Sequence, residues 1–406
     1  MNMLDKTAMM MWVRRIAAYG LLAYLASFFF LGPTSQKTLF YLVVAAPSII
    51  LFADFRRLLQ EEQRISVLVA LIFLAYFSSS ALWSVDGRVA NGLKLALCII
   101  CLMLAVHSTM SMRNDSGTLV RHFILIVGAC AVCAYLFMIA GKTLGASGYS
   151  AMVSERLSLR ALSGWGDNNP INSAMYIGLV PLAAWWSFDK SRPMAKIGLL
   201  FLIASGMAIM FLTQSRGPLL SLTVTLFLIS ALRRNKDDLI LWGVIVSSSI
   251  AAVLSFDLIP LIVDRATSPN YRLGIWMNAI ELIKQNLFFG QGLGDSADIA
   301  LSIDNSDVVI VSHSHSSILE TFRVGGIVGG LLFLAMLVSI TCRLPEKNSE
   351  RCFFVFWLVF GLLCLSTNGR IPLIRPSIEW FAFWVPLFFV VFCPAKACNN
   401  AQTRCS

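Results

Sequence analysis

The feature that most constrains this chain is a series of apolar segments, most of them roughly 16 to 22 residues long, separated by short charged connectors. An α-helix of about 20 apolar residues crosses a hydrocarbon core about 30 Å thick, whereas membrane-spanning β-strands are shorter and alternate in polarity. With 57% hydrophobic and 13% charged residues, a chain of 406 residues has too little polar surface for a soluble body. The sequence therefore predicts an all-α polytopic membrane protein.

The apolar segments predict about twelve transmembrane helices and one long polar loop between helices 9 and 10. We expect residues 1–256 to carry helices 1–9, residues 257–315 to form the loop, and residues 316–406 to carry helices 10–12 and a tail. The predicted spans are 16–32, 38–54, 65–83, 91–111, 119–141, 171–188, 197–213, 217–232, 239–256, 316–341, 352–367 and 379–393.

The positive charges predict the orientation in the membrane. Lys and Arg residues concentrate in the cytoplasmic connectors of membrane proteins. A cytoplasmic N-terminus places 19 of the 32 Lys and Arg residues in inner connectors and 11 in outer ones. We therefore expect both termini in the cytoplasm and the long loop outside. This distribution accounts for the net charge of +10 without a nucleic-acid partner, but the outer cations need another explanation.

Two arginines on the outer side are placed where a bound anion would stabilise them. Arg216 lies in the short turn Thr-Gln-Ser-Arg-Gly-Pro, at the edge of the hydrocarbon, where a cation is costly. Arg272 lies in the first turn of an amphipathic helix that apolar spacing predicts within the loop, starting near residues 268–270. A helix N-terminus disfavours a cation unless an anion such as phosphate binds there. The alternative for Arg216 is snorkelling or pairing with a nearby carboxylate.

Four further cations are weaker candidates for contacts with anionic substrate. They are Lys94, Arg156, Arg160 and Arg375. Lys94 is alternatively a lysine that snorkels from a helix end. Arg156 and Arg160 are alternatively a solvated helix face, being four residues apart. Arg375 shares the last outer loop with Arg370, and two cations on the disfavoured side favour an anionic ligand there.

The sequence Ser-His-Ser-His directly precedes the tenth predicted helix and contains His313 and His315. A histidine at the outer boundary of the membrane suits a general base or a hydrogen-bond partner for a sugar hydroxyl. The alternative is a capping histidine at the interface. Only carboxylates such as Asp295, Asp298, Asp304 and Asp307 could complete a metal site with the histidines, and we expect no metal.

Two groups of glycines flank the histidines. Gly290, Gly292 and Gly294 indicate a turn, without the preceding strand that a nucleotide site would require. Gly325, Gly326, Gly329 and Gly330 are expected to let another helix pack closely.

Four stretches of this chain resemble the O-antigen ligase family, within the group that includes O-antigen polymerases and protein O-oligosaccharyltransferases. They are Ala-Leu-Trp-Ser-Val-Asp from Ala81, Thr-Gln-Ser-Arg-Gly-Pro-Leu-Leu around Arg216, the run from Arg272 to Phe-Phe-Gly-Gln-Gly-Leu-Gly, and His313-Ser-His315 leading into Leu-Glu-x-x-x-x-Gly-Gly. The chain departs from the family at Ser316, where Asn is frequent, and at Asn286, where Pro is frequent.

The resemblance implies transfer of a polysaccharide from undecaprenyl diphosphate to a sugar of lipid A-core, at the periplasmic face of the bacterial inner membrane. It implies an inverting, metal-independent reaction without a cofactor. Arg216 and Arg272 would neutralise the leaving diphosphate, and His315 would accept or orient the proton of the acceptor hydroxyl. His313, Lys94, Arg156, Arg160 and Arg375 would contact the donor diphosphate or an acceptor phosphate. Membrane lipids surround the protein.

Three other functions remain as alternatives. A polymerase would join repeat units to each other, and a protein O-oligosaccharyltransferase would use Ser or Thr as the acceptor. The ligase is favoured because the chain is short and has no added soluble domain. A transporter of anionic lipids or sugars would place cations along a midplane path and often show repeats, whereas the candidate residues here gather on one side.

Overall fold

The computed structural model describes residues 3–59, 63–113, 115–143, 156–255, 272–294, 299–303, 307–341 and 350–393. These residues form a helical bundle, which confirms the predicted class. Its helices are α1 (Met3–Phe30), α2 (Pro33–Ala53), α3 (Phe55–Leu58), α4 (Arg64–Ser79), α5 (Val89–Ser111), α6 (Ser116–Thr143), α7 (Leu159–Ser163), α8 (Pro170–Phe188), α9 (Pro193–Leu212), α10 (Arg216–Arg233), α11 (Lys236–Ser255), α12 (Arg272–Gln285), α13 (Ser317–Thr341), α14 (Glu350–Thr367) and α15 (Trp380–Phe392).

Each of the twelve predicted spans overlaps one of these helices. In the described part of the chain, nine helices are long and apolar enough to cross a membrane. The other three predicted spans overlap α8, α11 and the shorter α15. Predicted and observed ends differ by a few residues, and the largest difference is at α1, whose apolar part already begins at Ala8.

Helix α8 lies at the centre of the bundle. Its side chains are buried all around the helix from Ser173 to Phe188, and it packs against α6, α9, α10 and α14. A helix that is apolar on every face is stable only inside a protein or a membrane. Asn169 caps this helix by accepting a hydrogen bond from the Ile171 N–H at 2.9 Å, and Pro170 is its first residue.

At the end of the bundle predicted to be cytoplasmic, basic side chains pair with neighbouring helices. Arg121 of α6 donates to the Glu350 carboxylate of α14 at 2.7 Å, although its side chain is only 6% exposed. Lys196 of α9 pairs with Asp237 of α11. These ion pairs join helices that are distant in sequence and neutralise Arg121 and Lys196.

Helix α13 is broken at Gly326, where φ is +60° and ψ is −160°. Residues 286–294, the glycine-rich segment, dock on this break: the Gln291 N–H donates to the Arg323 carbonyl at 2.9 Å, and the Ile327 N–H donates to the Leu287 carbonyl at 2.8 Å. The prediction that Gly326 serves helix packing is therefore wrong. Gly325 is a close-packing position as predicted, because a Cβ there would lie 2.5 Å from Phe77 of α4.

A two-stranded antiparallel ribbon lies between the glycine-rich segment and α13. Strand β1 (Ile299–Ile303) pairs with β2 (Asp307–Val311), with Ile299 opposite Val311. Ile299 packs on Ile275 and Ala279 of α12 in a small apolar cluster apart from the main core. The sequence interpretation did not include this ribbon. Asp257 to Tyr271, with the expected helix start, lie outside the described residues.

Candidate functional site

A polar cleft of about 780 Å³ opens at the end of the bundle opposite the Arg121 ion pair. Its walls come from α2, from the start of α5, from the segment before α8, from the histidine segment, and from the loop between α14 and α15. The charged residues that line it are Lys37, Arg88, Lys94, Arg323, Arg370 and Arg375, with Asp86, Asp167, Glu320 and Glu379. Cations therefore outnumber carboxylates on its walls.

The predicted site residues gather around this cleft. Lys94, His313, His315 and Arg375 line it. Arg272 lies beside it and acts electrostatically on His315. Arg216 in turn acts on Arg272. Residues from α5, α10, α12, the histidine segment and the last loop thus meet at one end of the bundle, although they are separated by up to about 280 positions in the chain.

The histidine segment is a short irregular stretch before α13. The rings of His313 and His315 have centroids 4.2 Å apart, at an interplanar angle of 52°. His313 Nδ1 lies 3.1 Å from the Ser312 hydroxyl. His315 has a left-handed backbone with φ of +53°, which costs a residue with a side chain about 1–2 kcal/mol. Strain of this kind persists only where the surroundings hold it in place.

Both histidines are held neutral. Burial is the main cause that lowers the pKa of His313 to about 4, with further lowering by His315 and Arg370. Burial also lowers the pKa of His315, followed by Arg272 and Arg370. Glu320 opposes the shift at both residues. At neutral pH each imidazole therefore has a nitrogen lone pair that can accept a proton.

The two arginines stand at the starts of two helices. Helix α10 begins at Arg216 after the buried Ser215, and α12 begins at Arg272. Burial lowers the pKa of Arg272, and the charge of Arg216 lowers it further. Within the described residues, no carboxylate forms an ion pair with Arg216. The positive ends of two helix dipoles add to the potential of the two cations, so this is a place where an anion binds favourably.

Arg156 and Arg160 lie at the margin of the site. Arg156 donates to the Ser215 hydroxyl at 3.3 Å and thereby braces the turn that leads into Arg216. Arg160 is exposed on α7, and its backbone N–H donates to the carbonyl of Asp167, a cleft residue, at 3.1 Å. Neither side chain is among the residues that line the cleft.

The loop from 368 to 377 carries Arg370 and Arg375 and is fixed at several points. The Glu379 carboxylate accepts the Arg370 N–H at 3.2 Å, and the Ser317 hydroxyl donates to the Arg370 carbonyl at 2.6 Å. The indole N–H of Trp380 donates to the Ile374 carbonyl at 2.8 Å. The backbone is held by neutral and acidic groups, while both arginine side chains are exposed toward the cleft.

The sequence analysis did not predict a buried ion pair in α13, between Glu320 and Arg323. Arg323 donates to Glu320 at 3.1 Å through Nε, and each residue is only 3% exposed. It also passed over Lys37 and Arg88 on the cleft wall. The available signal was the spacing of three between opposite charges inside an apolar helix, where a lone charge is too costly to bury.

No group of three or more His, Cys, Asp and Glu residues suited to a metal occurs among the residues that the structure describes. Of the carboxylates weighed as partners for the histidines, Asp295, Asp298 and Asp304 lie outside those residues.

The fold and the cleft define a class: a polytopic membrane protein with a cation-rich cleft and two neutral histidines at one end of its helical bundle. Residues 197–334, which include both arginines and both histidines, match the family model described as O-antigen ligase. The chain is also 27% identical over 384 residues to an O-antigen ligase of Pseudomonas aeruginosa (strain PAO1), a match covering 92% of this chain and 89% of the relative. Both matches support the O-antigen ligase family for this chain, and the name of that family implies an activity of the glycosyltransferase type.

Proposed function

We propose that this protein transfers O-antigen polysaccharide from undecaprenyl diphosphate to a sugar hydroxyl of lipid A-core. The observation that carries the proposal is the position of His315 on the cleft wall, with Arg272 acting electrostatically on His315 and Arg216 acting on Arg272. Two cations and one neutral base are the groups that a displacement at a glycosyl diphosphate needs.

The arginines supply the site for the leaving group. Arg216 and Arg272 repel one another at the positive ends of two helices. A diphosphate bound between them would attract both guanidinium groups and offset this repulsion. A guanidinium also matches phosphate oxygens with two parallel N–H donors. The negative charge of the diphosphate increases as its bond to the sugar breaks, so these contacts strengthen toward the transition state.

The reaction is a single displacement. The acceptor hydroxyl oxygen attacks the anomeric carbon from the face opposite the diphosphate, and the new glycosidic C–O bond forms as the old one breaks. The bonding electrons leave with undecaprenyl diphosphate, and the hydroxyl proton passes to His315. Attack from the opposite face inverts the anomeric configuration. The charge-stabilising role is assigned to arginines, and the reaction is proposed to be metal-independent.

His315 is the proposed base because it is the histidine on which Arg272 acts. His313 lies beside it, and its bond with Ser312 leaves its other ring nitrogen for a substrate hydroxyl. Lys94 and Arg375 are proposed to bind phosphate groups elsewhere in the cleft, and Arg156 and Arg160 to contribute at its margin.

The cleft end is proposed to face the periplasm of a bacterium, with both termini in the cytoplasm and the bundle in the inner membrane. Reporter fusions after Gly164 and after Lys190, at opposite ends of α8, test this orientation. A reporter active only in the periplasm is expected to be active after Gly164 and inactive after Lys190. The reverse result would place the site in the cytoplasm and contradict the proposal.

The deciding experiment is glycan transfer by purified protein with a lipid-linked donor and lipid A-core. Wild type is expected to form glycosylated lipid A-core, and His315→Ala to lose nearly all activity. His122→Ala is a matched control, because His122 lies on α6 at the other end of the bundle. Products joined to each other would indicate a polymerase, glycosylated protein a protein O-oligosaccharyltransferase, and no product at all a transporter.

A further inference from the structure

The peptide between the two histidines is held from both sides. Ser314 is fully buried, and its N–H donates to the Glu320 carboxylate at 3.1 Å. Its carbonyl accepts the indole N–H of Trp276 at 3.1 Å. Its own hydroxyl donates to the Ser316 carbonyl at 3.1 Å. Every polar group of Ser314 is therefore engaged, and two of the three partners come from separate helices, α13 and α12.

Glu320 is itself fixed by a network. Arg323 contacts both carboxylate oxygens of Glu320 and donates to the Gln291 side-chain carbonyl at 3.0 Å. The Gln291 N–H returns a bond to the Arg323 carbonyl at 2.9 Å. The network thus runs from the glycine-rich segment through the break in α13 to the peptide between the histidines.

Trp276 connects the same peptide to the arginine helix. It lies four residues after Arg272 on α12, which is close to one helical turn. Because Trp276 bonds to Ser314, a movement of α12 relative to the histidine segment would break this contact. The distance between Arg272 and His315 is therefore determined partly by this one hydrogen bond.

Stability alone does not explain a buried Glu–Arg pair. Desolvation of two charges offsets most of their attraction, and such pairs are retained in some proteins because they select one conformation. Here the selected conformation includes the left-handed backbone of His315, one residue from the peptide that Glu320 holds. The strain at His315 and the network that maintains it occur at the same place.

We propose that Glu320 and Trp276 are positioning residues, which clamp the Ser314 peptide so that His315 reaches the acceptor hydroxyl while Arg272 reaches the diphosphate. This inference rests on the function proposed above. Neither residue is assigned contact with substrate. Their role is geometric, and it predicts losses in the chemical step rather than in binding.

The test is steady-state transfer by purified Glu320→Gln, Glu320→Ala and Trp276→Phe proteins. Trp276→Phe keeps an aromatic ring but removes the indole N–H donor and the second ring of the indole. Glu320→Gln keeps an acceptor for the Ser314 N–H, whereas Glu320→Ala removes it. Misplacement of reacting groups by about 1 Å can cost a hundredfold in rate. We expect kcat to fall about tenfold for Trp276→Phe and about a hundredfold for Glu320→Ala, with Glu320→Gln intermediate and KM for both substrates within about twofold of wild type.

Glu281→Gln is the matched control. Glu281 pairs with Lys284 at 2.7 Å in the same i, i+3 arrangement, but that pair is exposed on α12. It should have wild-type kcat and KM. Thermal unfolding of each purified variant in detergent separates loss of folded protein from loss of rate.

The pH profile gives a second readout, which a purely structural role would not change. The charged groups that face the histidines are Arg272 from α12, Arg370 from the last loop, and Glu320 and Arg323 from α13. Glu320 is the one that raises the histidine pKa. Its replacement by Gln lowers that pKa, so the acid limb of kcat/KM should move to lower pH. Trp276→Phe should leave this limb in place.

The inference is overturned if Glu320→Ala and Trp276→Phe keep wild-type kcat, or if their loss matches the loss of folded protein. An unchanged acid limb in Glu320→Gln would also contradict it. Failure of the proposed function is distinguishable, because wild-type protein would then form no glycosylated lipid A-core.

Discussion

Gly290→Ala tests whether the glycine-rich segment is a structural clamp on the break in α13. Gly290 has φ of +68°, and a Cβ added there would lie 2.4 Å from the carbonyl carbon of Val324 and 2.5 Å from the Gly326 nitrogen. Both are backbone atoms and cannot rotate away. The segment must therefore withdraw from α13 if the substitution is to be accommodated.

The expected cost follows from these contacts. A positive φ costs a residue with a side chain about 1–2 kcal/mol. Withdrawal also breaks the bonds from Gln291 N–H to Arg323 and from Gly292 N–H to Val324, both of 2.9 Å, and each such bond contributes roughly 0.5–1.5 kcal/mol. The two effects together amount to about 2–5 kcal/mol, enough to undock the segment in most molecules.

Two other glycines separate the backbone cost of a positive φ from the cost of the steric contacts and lost hydrogen bonds. Gly164 has φ of +78° but nothing within 4 Å of an added Cβ, so Gly164→Ala carries the backbone cost alone. Gly198, inside α9, has an ordinary φ and an open surrounding. Gly198→Ala should be neutral or slightly stabilising, because Ala favours helix over Gly by about 1 kcal/mol.

The assay is thermal unfolding in detergent together with glycan transfer by the same protein. We expect the order Gly198→Ala, Gly164→Ala, Gly290→Ala from most to least stable, with transfer severely reduced only in Gly290→Ala. If Gly290→Ala matches Gly198→Ala in both measurements, the glycine-rich segment does not act as a clamp on the break in α13.

Three further predictions concern the chemistry of the site. Arg216→Lys and Arg272→Ala should each reduce transfer by at least about a hundredfold at normal membrane abundance, because a charged donor is lost or misplaced where the leaving charge develops; near-normal transfer in either would remove that role. Arg370→Ala should move the acid limb of kcat/KM to higher pH, because Arg370 lowers the pKa of His315 and its removal raises that pKa, so that the imidazole is protonated at higher pH. A shift of the acid limb to lower pH would contradict this prediction. Wild-type activity should survive treatment with a chelator, and zinc added afterwards should not increase it; loss on chelation with recovery on adding metal would contradict a metal-independent reaction.

The helical class and much of the candidate site followed from the sequence. Apolar runs of membrane-spanning length allow few structures other than helices, because backbone polar groups in lipid must bond within their own segment. The cations predicted to lie outside were selected because charge placement across a membrane is asymmetric. Arg216 could be selected because it lies in a short turn at the edge of the hydrocarbon, where a cation is costly. Arg272 could be selected because it lies in the first turn of a predicted helix, where a cation is unfavourable without an anion.

The parts that the sequence did not predict depend on contacts between distant segments. The break at Gly326 exists because residues 286–294 supply the hydrogen-bond partners that the helix lacks there. The Glu320 carboxylate acquires its role only when Ser314 folds back onto it. Likewise, the ribbon of β1 and β2 is stabilised by packing on α12, and short strands are weakly specified by local propensity.

The most direct test of the central claim is equilibrium binding of undecaprenyl diphosphate to the purified protein. Wild type should be compared with Arg216→Gln and Arg272→Gln, and with Arg192→Gln at the opposite end of the bundle as control. Loss of one charge-assisted contact should weaken binding about tenfold or more in the first two variants and leave the control unchanged. Equal affinity in all four proteins would show that the paired arginines do not bind the diphosphate, and would contradict the proposed mechanism.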